Sequence, residues 1–242
     1  MPDFAQPSGR PSHTSLPGEL ALVGGAEWSP GCEGFDSQLL GSAKSSDVLV
    51  LPTAAAYEHP GRSVEAAASY FSTLGATVKA CMVLRRADAE DAANAGAVRA
   101  AHFIYIAGGS VLHLRSVLKA SPVWDALVEA WQGGAVLAAS SAGAMVLGDT
   151  MVDPRGGALT LGLGLFDQLA VLPHASTWPE DKTHRTVRLA SPGLRIAAID
   201  ERTALLRSPD GRWRALGEGE VTVWVDGRRV GLEALSPEEV PQ

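Results

Sequence analysis

What most constrains this chain is a repeated unit. A short apolar run ends abruptly at glycine, proline or serine, and a segment with helical spacing follows. Leu20-Ala-Leu-Val23 runs into Gly24-Gly25, and Asp47-Val-Leu-Val-Leu51 into Pro52-Thr53. The run from His102 to Ile106 stops at Gly108-Gly109, and that from Ala135 to Ala139 at Ser140-Ser141-Ala142-Gly143. Between the runs, 63–74 places Val64, Ala67, Ala68 and Phe71 on one helical face. The segment 88–100 is Ala-rich and helical, 111–119 carries a stripe of Val111, Leu114, Val117 and Leu118, and 122–131 starts with Pro122 in its first turn. Thr77 to Leu84 reads as a further strand. Strands without polar alternation, separated by helices, imply a mainly parallel sheet covered on both faces: an α/β fold of three layers. Ligands of such sheets bind beyond the carboxyl ends of the strands. The four strand ends above should therefore gather along one rim.

After residue 190 the pattern changes. Leu194 to Ile199, Thr203 to Arg207, Trp213 to Leu216 and Val221 to Val225 are short strands with tight turns at Pro209-Asp-Gly211 and Asp226-Gly227. They are expected to form an antiparallel C-terminal extension of the same sheet. The Pro-, Ser- and Gly-rich residues 1–17 are expected to be a disordered tail and the acidic 236–242 a frayed one, leaving 18–235 as a single domain.

The remaining features narrow the function. The net charge is −7 and no Lys/Arg block occurs, which argues against nucleic acid or an anionic membrane as the main partner. No apolar run approaches the roughly 20 residues of a spanning helix, and the first residues lack the basic and apolar regions of a secretory signal. The expected location is cytoplasmic, with Cys32 and Cys81 as two reduced thiols. Neither cysteine has metal-site spacing, and no metal or organic cofactor is implied.

Three strand ends carry chemistry. Ala139-Ser-Ser-Ala-Gly-Ala144 has the form small-x-Ser-x-small between a buried strand and an apolar helix. Such a turn needs small residues on either side of a central residue that is strained and presented to the ligand. Ser141 is that residue, and the Ala142 N–H at a helix start would donate to an oxyanion. The same residues also suit a helix start that Ser140 or Ser141 merely caps. Ala139 stands where the pattern usually has Gly. Gly108-Gly109 would let a backbone N–H approach a substrate, or would simply make a tight turn.

A serine nucleophile needs a base, and His is the usual one. His13 lies in the tail, His102 opens a strand, His59 and His184 sit in polar stretches, and His113 lies on a helix. His174 ends the apolar run Leu169 to Leu172 and so falls at a strand end. For the carboxylate that orients it, Asp153 in Met151-Val-Asp-Pro154 is the first choice and Asp149 the second, with Asp167 also present between Ser141 and His174. Each also reads as a solvated loop acid.

These residues resemble the cyanophycinase and aspartyl dipeptidase (dipeptidase E) family of serine peptidases. The likeness lies in Ser141-Ala-Gly-Ala144, Leu22-Val-Gly-Gly-Ala-Glu27, Val50-Leu-Pro-Thr-Ala54, Ile106-Ala-Gly-Gly109, Gly162-Leu-Gly-Leu165 before the histidine, and Ile199-Asp-Glu-Arg-Thr-Ala204. In order, they cover most of 20–225. The resemblance implies a class I glutamine amidotransferase-like (flavodoxin-like) fold, with Ser141 as nucleophile and His174 as base. It implies Gly109 and Ala142 as the backbone oxyanion hole, and it favours Asp153 as the acid. Gly108, Ser110, Ser140 and Arg155 are the candidate substrate contacts, and Arg62 or Arg155 would suit a substrate carboxylate.

Two departures matter. Cyanophycinases follow Gly-Gly with Asp-Gln and the dipeptidases with Asn-Thr, whereas Ser110-Val111 stands here. The histidine lies in Leu172-Pro-His-Ala-Ser-Thr-Trp178 rather than Asp-Gln-His-Phe with a basic stretch. The residues that hold an aspartyl or arginyl substrate in the family are therefore not visibly kept. The expected activity is hydrolysis of a short peptide or isopeptide through a Ser-His-Asp triad and an acyl-enzyme; a homodimer is implied by resemblance alone. The rival is a non-catalytic member that binds a small ligand or a partner. A glutaminase is disfavoured because the turn carries Ser rather than Cys.

Overall fold

In the computed structural model, residues 16–236 are described. The tails expected at 1–17 and 236–242 lie almost wholly outside them. The strands, in chain order, are β1 (Leu20–Val23), β2 (Asp47–Leu51), β3 (Thr77–Ala80), β4 (Phe103–Ile106), β5 (Val136–Ser140), β6 (Thr150–Val152), β7 (Leu159–Leu161), β8 (Leu169–Leu172), β9 (Arg195–Ile199), β10 (Thr203–Arg207), β11 (Trp213–Gly217), β12 (Val221–Val225) and β13 (Arg228–Val230). The main sheet has seven strands in the order β11-β10-β1-β5-β4-β2-β3. The five strands from β1 to β3 in that order run parallel, and β10 and β11 add antiparallel at the β1 edge.

The apolar runs are buried on both faces because side chains alternate across the sheet. Leu20, Leu22, Leu49, Leu51, Ile104, Ile106, Leu137 and Ala139 face one core. Ala21, Val23, Val48, Val50, Phe103, Tyr105, Val136 and Ala138 face the other. The first core is closed by helices Ala92–Arg99, Val111–Leu118 and Pro122–Gln132 through Val98, Leu114, Val117, Leu127 and Trp131. The second is closed by Glu33–Ala43 and Pro60–Thr73 through Phe35, Leu39 and Phe71. This is the three-layer α/β arrangement expected from the sequence. Cys32 and Cys81 are free and buried, and burial pushes each thiol up to about 11, which keeps both protonated at neutral pH.

The C-terminal part differs in detail from a single extension. Only β10 and β11 join the main sheet. β9, β12 and β13 form a separate four-stranded sheet with β8, in the order β13-β12-β9-β8. It has its own core of Ala170, Leu172, Val187, Ile196 and Ala198. Within it β8 and β9 are parallel, with Leu172 opposite Ala198, so the residues just past both strands leave the sheet side by side. That pairing matters for the site. No helix among the described residues is long and apolar enough to cross a membrane.

Candidate active site

The parallel strands deliver their carboxyl ends to one place. β5 ends at Ser140, and Ser141 follows with φ 50° and ψ −110°, outside the usual wells for a residue with a side chain. The helix Ala142–Val146 starts at once, so the chain reverses within one residue. Small neighbours make this possible. A Cβ on Gly143 would lie 2.9 Å from the Ile106 carbonyl oxygen and 3.3 Å from the Ala139 Cβ. Gly is thus required at 143, while the methyl of Ala139 is accommodated. Ser141 makes no side-chain cap bond to this helix, which removes the simple capping reading. Its Oγ lies instead 2.8 Å from His174 Nε2.

His174 follows β8 by two residues and adopts a left-handed conformation (φ 54°, ψ 36°). Its N–H donates to the Gly24 carbonyl at 2.7 Å, which ties it to the end of β1. Gly25, at φ 123°, leaves room for the imidazole: a Cβ there would lie 2.2 Å from His174 Cε1. The Gly24-Gly25 pair at the first strand end is therefore the seat of the histidine.

The imidazole's other nitrogen meets a carboxylate that the sequence reading did not select. His174 Nδ1 lies 2.8 Å from Glu201 Oε1. An ionised carboxylate only accepts, so Nδ1 carries the proton and Nε2 is left to accept from the Ser141 hydroxyl. Both side chains are about one-third exposed, 31% for His174 and 34% for Glu201. Asp153, the expected partner, bonds Arg155 instead: Oδ1 takes the backbone N–H at 2.9 Å, and Oδ2 pairs with Nη2 at 2.6 Å. Asp149 and Asp167 make no bond to His174 either: Asp149 Oδ1 is buried without a partner, and Asp167 is exposed. The reason is topological. Glu201 lies just past β9, the parallel neighbour of β8, whereas Asp153 sits in the turn joining the β6–β7 hairpin.

The two expected oxyanion donors stand beside the serine. Gly109 and Ala142 both line a cavity of about 290 Å³ with Ser141 and His174. The Gly109 N–H makes no hydrogen bond among the described residues. Ala142 opens its helix, so its N–H has no intrahelical acceptor. The other lining residues are Ser110, Val111, Leu112, Met145, Pro154, Pro173 and Trp178.

Of the candidate substrate contacts, only Ser110 lines this cavity. Its Oγ also caps the following helix, accepting from the His113 N–H at 3.4 Å. Ser140 is fully buried, donates to Glu27 Oε2 at 2.7 Å and does not line the cavity. Gly108 donates its N–H to Glu27 Oε1 at 2.8 Å. Arg155 is held by Asp153. Glu27 closes the motif Leu22-Val-Gly-Gly-Ala-Glu27 after β1, and nothing in that motif's sequence signals these two bonds.

A three-layer α/β chain with a strained serine at a strand-to-helix turn, hydrogen-bonded to a histidine, has the architecture of a serine hydrolase. The sequence matches the model of peptidase family S51 over residues 20–212, and the chain belongs to that family of serine peptidases. It is 28% identical over 234 residues to a cyanophycinase of Synechococcus elongatus, covering 90% of this chain and 71% of the relative. A cyanophycinase of Trichormus variabilis is 26% identical over 219 residues, 84% of this chain and 72% of the relative. Among solved structures, a peptidase from an acI-B1 actinobacterium superposes with a TM-score of 0.77 at 28% identity, covering 88% of this chain and 96% of that one. A putative peptidase E protein from Listeria monocytogenes EGD-e shares the fold, with a TM-score of 0.60 at 20% identity over 89% of this chain and 100% of its own.

Proposed function

We propose that the protein is a serine peptidase that cleaves a short peptide or isopeptide through an acyl-enzyme, with Ser141, His174 and Glu201 as its triad. The observation that carries this is the unbroken chain of hydrogen bonds from Ser141 Oγ through the imidazole to Glu201, at 2.8 Å in each link. Ser141 attacks the amide carbonyl while His174 Nε2 takes its proton. Glu201 holds the imidazole in the Nδ1–H tautomer and stabilises the imidazolium that forms. The N–H groups of Gly109 and Ala142 receive the developing oxyanion. His174 returns its proton to the leaving amine, and a water then repeats the sequence on the ester, releasing the acid and restoring Ser141.

A degraded, non-catalytic site would have no reason to keep Ser141 at φ 50° and within hydrogen-bond reach of a base. A fluorophosphonate probe tests the proposal. Peptide mapping should find one adduct, on Ser141, formed at a rate that falls at least a hundredfold in His174→Ala. An unmodified Ser141, under conditions that label a control serine hydrolase, would overturn it.

A further inference from the structure

We infer that this site selects a medium-sized apolar side chain, of the kind carried by leucine, methionine or phenylalanine, on the residue whose carbonyl is attacked. The inference rests on the serine-peptidase reading and deepens it. In that chemistry the acyl group stays bonded to Ser141 Oγ while its oxygen faces Gly109 and Ala142. The acyl residue must therefore occupy the cavity that these three residues line. Apart from Ser110 and the base His174, its remaining walls are the apolar residues Val111, Leu112, Met145, Pro154, Pro173 and Trp178, and neither Ser110 nor a neutral imidazole offers a charge to pair with. A buried aspartyl or arginyl side chain against such walls would lose its hydration without a compensating ion pair. An apolar one gains burial against Met145 and Trp178. Arg155, beside Pro154, is already engaged by Asp153 and is 75% exposed. Leu112, itself 40% exposed, stands at the rim and is left in water until a ligand covers it.

The test uses dipeptides X-Ala and their N-acetylated forms, with X as Leu, Met, Asp or Arg, on enzyme whose active fraction is counted with the fluorophosphonate probe. We expect kcat/KM for Leu and Met to exceed that for Asp and Arg at least tenfold. Leu112→Arg should narrow that gap. Equal rates, or preference for Asp or Arg, would overturn the apolar site while leaving the hydrolase intact. Where no peptide is cleaved, protection of Ser141 from the probe decides. Protection by N-acetyl-leucine supports the inference, and protection by N-acetyl-aspartate or by neither overturns it. An enzyme that the probe never labels takes both readings down together.

A separate observation supports a second inference: we propose that Glu27 is a positioning residue for the oxyanion hole. Its carboxylate accepts from the Gly108 N–H with one oxygen and from the Ser140 hydroxyl with the other, at 2.8 and 2.7 Å. Gly108 precedes the donor Gly109, and Ser140 precedes the nucleophile Ser141 and the donor Ala142. One side chain thus ties together the two turns that carry the two donors. The proximity is tight: a Cβ on Gly108 would lie 3.0 Å from Glu27 Oε1 and 3.2 Å from Ser141 Cβ.

Removing the tie should loosen the spacing between the donors, which matters most when the oxyanion forms. Glu27→Ala is expected to lower kcat per probe-titrated site by about 10- to 100-fold, below the loss of a whole oxyanion donor, with KM changed less than about threefold. Glu27→Gln can accept from Gly108 and donate to Ser140 Oγ, and should recover most of that loss. If Glu27→Ala leaves kcat per titrated site unchanged and only lowers the melting temperature, Glu27 is structural and the proposal fails. It fails equally if glutamine does not rescue.

Discussion

Ser141→Ala is expected to reduce kcat/KM by about 10⁵- to 10⁶-fold, the scale set by removal of a serine nucleophile from an intact triad. In free energy that is about 7–8 kcal/mol of transition-state stabilisation, since each factor of ten is about 1.4 kcal/mol. The loss is so large because nothing nearby can substitute. Ser140 is the adjacent hydroxyl, but it is fully buried, bonded to Glu27 and absent from the cavity lining. Cys32 and Cys81 are buried thiols with no place in the lining of this cavity. The variant should remain folded, because alanine keeps the small volume that the turn demands and only one partly exposed hydrogen bond is lost. Product acids should bind it about as well as they bind the wild type. A hydrolysis rate within tenfold of wild type, in protein freed of contaminating peptidase, would remove Ser141 from the mechanism. A fall in binding and melting temperature together would instead point to misfolding, and Ser141→Gly offers the same chemical deletion in a residue at ease with positive φ.

The residues legible in the sequence were those at strand ends that announce themselves by composition. Gly24-Gly25, Gly108-Gly109 and Ser140-Ser141 each interrupt an apolar run, and the parallel sheet carries all three to one rim. His174 was legible for the same reason. Glu201 was not, although it sits in Ile199-Asp-Glu-Arg, directly after an apolar strand. A carboxylate partner for His174 is looked for between the serine and the histidine in sequence, and the pairing of β8 with β9 is invisible there. Period-2 and apolar patterns identify strands but not their neighbours. The rule that served for the other strand ends, applied once more at Ile199, would have nominated Asp200 and Glu201. The same blindness to pairing merged β9 and β12 with the main sheet. Ser140 and Glu27 show a different gap: the sequence offers Ser140 as a substrate contact, and only the folded chain supplies the carboxylate that it meets instead.

The identity of the acid gives the second large effect. Glu201→Gln should lower kcat by about 10³- to 10⁴-fold, while Asp153→Asn should stay within about threefold of wild type. The glutamine fills the same space but is neutral, so the imidazolium formed during attack loses its counter-charge at 2.8 Å. Its amide group can also turn an N–H toward Nδ1, which stabilises the tautomer with the proton on Nε2. That tautomer cannot accept from Ser141, and so the hydroxyl is no longer activated. KM should move far less than kcat, because Glu201 is absent from the cavity lining and reaches substrate only through His174. Asp153 bonds Arg155 in its own turn, and both ring nitrogens of His174 are already taken, by Ser141 and Glu201. Probe labelling of Ser141 should slow in the Glu201 variant in parallel with kcat, since attack on phosphorus needs the same proton transfer. The opposite ranking, with Asp153→Asn inactive and Glu201→Gln unimpaired, would mean that the working enzyme rearranges its 153–158 turn on binding substrate and that the bond between His174 and Glu201 is only a resting contact.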